Sequence, residues 1–262
     1  QLNAPAQNAY KNEVYNHFKI ECIGNEMKTW VNGYATAYLV DTIDSKGFIG
    51  LQVHAVSAAD HAGKKVCFKN IRIQTTDLLP GPFPANVYVL NLIPNSLSDY
   101  KKKDGWRLLF DGKTNKGWRT ARSVVFPEKG WVINNGTISV VDAGGQESTN
   151  GGDIVTLEQF SAFDLSFEFK LTPGANSGVK YFVTLAEDSK GSSIGLEYQV
   201  LDDDAHPDAK LGREGNRTLA SLYDLIKAEK QKRFIRPVGN WNHARIIVYP
   251  NDKVEHYLNG VK

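Results

Sequence analysis

Phe163-Asp164-Leu165-Ser166-Phe167-Glu168-Phe169-Lys170-Leu171 alternates apolar and polar residues without a break. In an extended chain successive side chains point to opposite sides of the sheet. Leu165, Phe167, Phe169 and Leu171 therefore form one greasy face, with Glu168 and Lys170 on the other. The same design recurs along the chain. Val179, Tyr181, Val183 and Leu185 oppose Lys180, Phe182 and Thr184; Leu196, Tyr198 and Val200 oppose Glu197 and Gln199; Ile49, Leu51, Val53 and Ala55 oppose Gln52 and His54. Strands with one apolar and one polar side suit two antiparallel sheets packed face to face, so the pattern predicts an all-β fold. It predicts strands at 17–23, 27–32, 47–56, 65–74, 131–134, 137–141, 153–157, 163–172, 178–185, 194–201, 243–249 and 253–258. Helical periodicity is scarce.

The chain also repeats itself. Asn16-His17-Phe18-Lys19-Ile20, a turn at Gly24-Asn25 and then Met27 to Gly33 match Asn242-His243-Ala244-Arg245-Ile246, a turn at Pro250-Asn251-Asp252 and then Val254 to Gly260. One residue is inserted at the second turn. The shared Asn-His opening, Asn-Gly close and hydrophobic pattern predict one copy of a strand hairpin near each terminus. The repeat also weighs single residues. Glu255 and His256 look like an acid/base pair, but their counterparts are Lys28 and Thr29, which points to packing. Trp30 and Tyr257 correspond, and a core position is the expectation for both. The matched His17 and His243 likewise read as structural.

Length and charge narrow the class. The chain has 262 residues, of which 41% are hydrophobic, enough for a substantial core. With 31 basic and 29 acidic residues the net charge is only +2, which gives no electrostatic case for nucleic acid. No apolar run is long enough to span a bilayer as a helix, and no signal-peptide pattern opens the sequence. Cys22 and Cys67 each lie in a strand-like run, where a buried free thiol is the expectation. The Pro-rich stretch from Pro80 to Pro94, followed by Lys101-Lys102-Lys103, reads as a connection between units.

The densest polar segment is Leu201-Asp202-Asp203-Asp204-Ala205-His206-Pro207-Asp208. Four carboxylates and a histidine can ligate a cation or supply an acid and a base, but calcium-hand spacing is missing. An Asp-rich turn capping the segment that follows is the competing reading. Asn216-Arg217-Thr218-Leu219-Ala220-Ser221-Leu222-Tyr223-Asp224 reads as a loop with an anion or hydroxyl binder and an aromatic platform. Nucleophile-elbow, phosphate-loop and paired-cysteine motifs are absent, which removes serine hydrolysis and nucleotide chemistry. A polar sheet face of carboxylates, amides, a lysine and a histidine remains, suited to a polyhydroxylated ligand.

Several motifs together resemble one family. Trp106-Arg107-Leu108-Leu109-Phe110-Asp111-Gly112-Lys113-Thr114, then Gly117-Trp118, is similar to the opening of the 3-keto-disaccharide hydrolase domain family. The likeness continues through Gly152 to Thr156, Phe163 to Leu165, Asn176-Ser177-Gly178, Gly195 to Asp202, Ala205 to Asp208, Leu222 to Asp224 and Glu255 to Gly260. The family's closing elements, Gly47 to His54 and Phe68 to Ile73, stand instead at the N-terminal end. The resemblance implies a concanavalin-like, two-sheet antiparallel jelly-roll sandwich. It also implies domains arranged as 1–76, the C-terminal part of a first family domain; 77–104, a linker; and 105–262, the N-terminal and central part of a second.

The same resemblance implies a keto-glycoside or related oligosaccharide as substrate and a periplasmic or extracellular location. A ketone at sugar C3 acidifies the C2 proton, so such a site needs a base of near-neutral pKa and a donor or cation at the enolate oxygen. Glu197 or His206 is expected as base and Lys180 and His54 as donors. Gln199, Gln52, Glu168, Asp204, Arg217 and Tyr223 are expected to bind substrate. No cofactor is required, although a divalent metal can replace the donors. Because Gln52 and His54 precede the linker and Glu197 and His206 follow it, a complete site needs the N-terminal strands to complete the C-terminal sheet. Failing that, the incomplete sheets imply self-association. Two other readings stand beside this one: a non-catalytic carbohydrate-binding sandwich, and a two-carboxylate glycosidase using Glu197 and Glu168.

Overall fold

The computed structural model describes residues 6, 8–52, 63–84, 87, 89–141, 151–184 and 194–262. It is mostly β, and it divides into two compact units, Gln1–Leu108 and Leu109–Lys262. In the first unit β1 (Phe18–Ile23), β2 (Glu26–Val31), β3 (Tyr34–Val40) and β4 (Val89–Asn91) form one sheet in that order, antiparallel except for the parallel β3–β4 pair. Tyr38, Val40 and Val89 make its core, with Phe83 and Ile93 packed alongside. A short helix, α1 (Asp99–Lys103), follows. Both β4 and α1 lie within the stretch that reads as a connection.

In the second unit β5 (Trp118–Thr120) pairs with β8 (Ile154–Thr156), and β6 (Trp131–Asn134) with β7 (Thr137–Val140). The rest of the unit is built from β9 (Phe163–Phe169), β10 (Asn176–Thr184), β11 (Ile194–Leu201), β12 (Asn242–Val248) and β13 (Val254–Leu258). β13, β12 and β9 form a three-stranded sheet, and β10 and β11 an antiparallel pair. Both contribute apolar faces to one core: Phe169, Ala244, Ile246, Val248 and Leu258 from the first, Tyr181, Tyr198 and Val200 from the second. Each large side chain fully buried there, such as Tyr198 or Ile246, contributes about 1.5–3 kcal/mol. The alternation read from 163–171 and 194–201 thus selects the buried face correctly.

The repeat holds at the level of single hydrogen bonds. In the first hairpin the His17 N–H donates to Asn32 Oδ1 at 2.8 Å, the Asn32 N–H donates to the His17 carbonyl at 2.8 Å, and the Asn32 amide donates to Asn16 Oδ1 at 2.8 Å. In the second the His243 N–H donates to Asn259 Oδ1 at 2.8 Å, the Asn259 N–H to the His243 carbonyl at 2.7 Å, and the Asn259 amide to Asn242 Oδ1 at 2.8 Å. Asn32 and Asn259 both sit in the left-handed region, at φ 49° and 48°, each followed by a glycine at positive φ. Asparagine tolerates that conformation better than most residues, which explains the paired Asn-Gly.

Three expectations are corrected. Residues 47–52 and 64–76 form no ladder, although strands were expected at 47–56 and 65–74; residues 53–62 lie outside the described set. Their apolar sides stay in solvent, with Ile49 79%, Val66 81% and Ile73 72% exposed. Alternation supplies one greasy side, but a strand also needs a neighbour to satisfy its backbone. Finally, Cys22 and Cys67 are both free and exposed rather than buried, because Phe18, Ile20 and Cys22 line an uncovered side of β1 and Cys67 lies in an unpaired stretch.

Asn259→Ala removes three hydrogen bonds and places alanine in the left-handed region. The second unit is expected to lose about 2–4 kcal/mol, read as a lower urea midpoint. An unchanged midpoint shows that the clamp contributes no net stability.

Candidate active site

Register alone brings the first candidates together. β10 and β11 pair with Lys180 opposite Glu197 and Gly178 opposite Gln199. Because Tyr181 and Tyr198 turn into the core, Lys180, Glu197 and Gln199 share the other face. The segment 220–223 then lines up along β11. The Ala220 N–H donates to the Gln199 carbonyl at 2.8 Å, the Gln199 N–H to the Ser221 carbonyl at 3.1 Å, and the Tyr223 N–H to the Glu197 carbonyl at 2.9 Å. That pairing carries Tyr223 to the edge of the face.

Glu197 is the electrostatic centre of the arrangement. Burial raises its pKa above the ordinary carboxyl value; Lys180 opposes the rise, while Asp153 and Asp208 add to it. Lys180 Nζ meets Asp153 Oδ2 at 2.9 Å, so the lysine is held by a carboxylate other than Glu197. The Gln199 side chain, 1% exposed, satisfies its surroundings when its amide nitrogen donates to Glu197 Oε1 at 3.3 Å and to the Ser177 carbonyl at 3.1 Å.

The Asp-rich turn separates into structural and site-facing parts. Asp202 accepts backbone N–H bonds from Gly174, Asp204 and Ala205, and Asp203 accepts from the Leu219 N–H while pairing with Lys230. Both are turn and loop anchors. Asp204 points to solvent. Its side chain is 89% exposed, with Lys232 3.9 Å away. His206 caps the 3-10 turn Pro207–Lys210, its Nδ1 accepting from the Asp208 N–H at 3.2 Å. In the neutral ring the proton therefore sits on Nε2.

Asp208 joins a network the sequence only half revealed. It accepts from Arg217 at 3.0 Å and from the Tyr223 hydroxyl at 3.0 Å, and Arg217 also forks onto Asp224 at 2.9 and 3.0 Å. The two carboxylates push the guanidinium pKa up, and Arg217 holds Asp224 below the usual carboxylate range. An open pocket of about 790 Å³ adjoins Arg217 and Asp224 and is also lined by Arg213, Asn216 and Lys227. Asp208 and Asp224 stand inside stretches singled out from sequence, but only geometry gives them their partners. Asp153 stands in the family-like stretch Gly152 to Thr156 and at the start of an expected strand, but nothing in the sequence marks it as a partner of Lys180.

The structure thus brings together Glu197, Lys180, Gln199, Arg217 and Tyr223, with His206 adjoining through Asp208. Glu168 is elsewhere. On β9 it is exposed on the side shared with Asp164 and Ser166, which bind Arg245 and His243 of β12. Gln52 is exposed in the unpaired stretch of the first unit, and His54 lies outside the described residues. Among the described residues no three His, Cys, Asp or Glu side chains gather as a metal site.

Glu255 is buried and His256 half-buried, and both are taken up by packing contacts. Tyr181 donates its hydroxyl to His256 Nε2 at 3.1 Å, and His256 Nδ1 faces the Ala220 carbonyl at 3.2 Å. Burial lowers the His256 pKa. Glu255 is 6% exposed and held by Lys253, Lys262, Tyr249 and Tyr257.

Comparison with known proteins adds identity to this geometry. Residues 1–74 and 105–262 match the family model described as a 3-keto-alpha-glucoside-1,2-lyase-like domain. A 3-keto-disaccharide hydrolase of Bacteroides thetaiotaomicron is 42% identical over 157 residues, covering 56% of this chain and 53% of the relative. The chain thus spans about half the length of that relative. Its fold is similar to the crystal structure of a candidate glycosyl hydrolase from Parabacteroides distasonis, at a TM-score of 0.53 and 30% identity. The match covers 63% of this chain and 73% of the other.

The His256 geometry makes a pH prediction. Its folded pKa lies below its unfolded value, so its contribution is fully present above about pH 6.5 and is lost as pH falls through the folded pKa. Urea midpoints from pH 7.5 to 5 are expected to fall more steeply for the wild type than for His256→Gln; parallel profiles rule out a neutral buried histidine.

Proposed function

Because the chain belongs to the 3-keto-alpha-glucoside-1,2-lyase-like domain family, we propose that its second unit carries the catalytic face of a carbohydrate-active enzyme that cleaves 3-keto-glycosides. The observation that carries this reading is Glu197. It is a carboxyl of raised pKa, outside any ion pair among the described residues, across the strand from Lys180 and beside an aromatic and guanidinium edge. That is the electrostatic profile of a general base.

In this reaction Glu197 removes the proton at C2 of the keto sugar, and the C–H electron pair flows to the C3 oxygen as an enolate. Lys180 donates to that oxygen and stabilises charge that exists only after proton removal. The enolate then re-forms the ketone, the C1–C2 double bond closes, and the C1–oxygen bond breaks. His206 supplies its Nε2 proton to the departing alkoxide. Water adds at C1 and a proton returns to C2, so the net change is hydrolysis with no redox step. Gln199, Arg217 and Tyr223 suit sugar hydroxyls, the tyrosine ring offering a flat face. Asp204, whose side chain faces solvent, remains part of the proposal only as an outer contact.

The proposed architecture is a jelly-roll sandwich in which 1–76 close one family domain and 105–262 open another, joined by 77–104. The matching asparagine clamps support that plan. The bare apolar sides of 47–52 and 65–73 support self-association through incomplete sheets. A periplasmic or extracellular site of action rests on the family resemblance alone.

The test is incubation with a 3-keto-disaccharide and its unoxidised parent, with and without chelator. Turnover of the keto sugar alone is expected, and kcat/KM is expected to fall as pH drops through the Glu197 pKa, because only the carboxylate accepts the proton. Glu197→Gln is expected to lower kcat by at least about a hundredfold with an unchanged unfolding midpoint. Cleavage of the parent sugar, or full activity in Glu197→Gln, overturns the assignment. A chelator-sensitive rate restored by a divalent cation adds a Lewis acid at the enolate oxygen.

A further inference from the structure

Gly178 lies in the interior of the nine-residue strand β10, where a glycine costs about 0.5–1 kcal/mol relative to alanine. Its backbone gives no reason for the choice. Unlike Gly174, at φ 72°, it lies outside the left-handed region that favours glycine. The reason is on its surface. A Cβ at this position overlaps Oε1 of Glu197 and comes within 2.6 Å of its Cδ and 2.7 Å of its Cγ. The Glu197 side chain therefore occupies the space that any other residue at 178 would fill.

That placement decides the partner of the carboxyl. The residue directly opposite Glu197 is Lys180, and Gly178 is its diagonal neighbour one step along the face. Leaning over Gly178 takes the carboxylate away from the ammonium, which bonds Asp153 at 2.9 Å instead. It also brings Oε1 to the Gln199 amide at 3.3 Å. We infer that Gly178 is a positioning residue: its missing side chain lets Glu197 lie against the β10 backbone, apart from Lys180, and so remain a base rather than one half of an ion pair. This rests on the reading of Glu197 as the base, and it adds a requirement on its geometry.

The charged groups bearing on Glu197 are Lys180 from β10, Asp153 ahead of β8 and Asp208 from the 3-10 turn. A methyl at 178 displaces the carboxylate toward Lys180 or toward water. Either move favours the charged form, so the pKa of Glu197 falls toward that of an ordinary carboxyl.

The experiment follows Glu197 directly, by 13C NMR titration of side-chain-labelled glutamate in the full chain, assigned with Glu197→Gln. In Gly178→Ala the Glu197 resonance is expected to titrate at lower pH than in wild type. On a 3-keto-disaccharide kcat is expected to fall at least tenfold while KM changes less than threefold, and the acidic limb of the pH profile shifts with the resonance. Should Gly178→Ala not fold, Gly178→Ala combined with Glu197→Ala is expected to fold, since the overlapping side chain is gone. Identical Glu197 titration in wild type and Gly178→Ala overturns the inference, as does failure of both variants to fold. Absence of turnover in wild type sinks the proposed reaction instead, and the titration still decides the role of Gly178.

Discussion

Burial of Tyr198 and Tyr181 is the constraint on which the rest of the second unit depends. Tyr198 is 0% exposed, packs edge-on against Phe167 at 5.8 Å and bonds the Tyr257 carbonyl; Tyr181 bonds His256. These contacts join β10 and β11 to the sheet of β9, β12 and β13. Once they are fixed, period two leaves Lys180, Glu197 and Gln199 only one direction to point. A one-residue slip in either strand would bury the charges and expose the rings. The desolvation of Glu197 is thus a by-product of core packing, since the strand that buries Tyr198 also draws 220–223 along its edge and narrows the access of water to the carboxyl.

The internal repeat acts as a built-in control on which polar residues matter to folding alone. In the first hairpin Lys28 is 5% exposed and pairs with Glu26 at 3.3 Å; in the second, Glu255 at the equivalent position is 6% exposed and pairs with Lys253 at 2.8 Å. The signs are exchanged and the arrangement is kept. A buried charge needs a partner of either polarity, and breaking the pair is what costs. Likewise Lys19 lies over Trp30 at 4.6 Å and Arg245 over Tyr257 at 5.8 Å. The hairpin therefore requires paired charges and a cation on an aromatic ring, and a catalytic reading of Glu255 has no support from its surroundings.

How far the sequence discloses this depends on whether a feature is periodic. β9, β10 and β11 were legible because each runs seven to nine residues with one side buried. β3 was not, since its buried residues are Ala35, Tyr38 and Val40. The register shift opposite Thr29 and Trp30 moves the buried phase by one residue partway along, and alternation disappears. β4 and β5, at three residues each, are too short to show a period. At the site, Glu197, Gln199 and Lys180 follow from the alternation of their strands. Asp208 and Asp153 do not, because they themselves stand outside the strands, in segments whose course no local pattern encodes. The same gap explains Asp204, which stands in the densest acidic run yet faces solvent. The failure at 47–52 and 65–74 is of another kind: their pattern is that of strands, and a ladder partner is a property of the assembly rather than of the segment.

The geometry also favours the proposed elimination over conventional glycosidase chemistry. Direct displacement at a sugar requires two carboxyl groups flanking one bond, with separate protonation states. Phe167 and Tyr198 pack against each other from facing strands, so Glu168 and Glu197, each one residue along, point to opposite sides of the core. Glu168 is removed as a partner. Among the remaining carboxylates near Glu197, Asp208 is committed to Arg217 and Tyr223, Asp224 to Arg217 and Asp153 to Lys180. Each is engaged by a cation, and Arg217 holds Asp224 below the usual carboxylate range. One carboxyl with a raised pKa, set among cations already neutralised, is a poor fit to a two-acid mechanism and a good one to a single base removing an acidified proton. In the proposed reaction the ketone acidifies the C2 proton so that one base starts it, and the leaving oxygen takes its proton from His206 rather than from a second carboxyl.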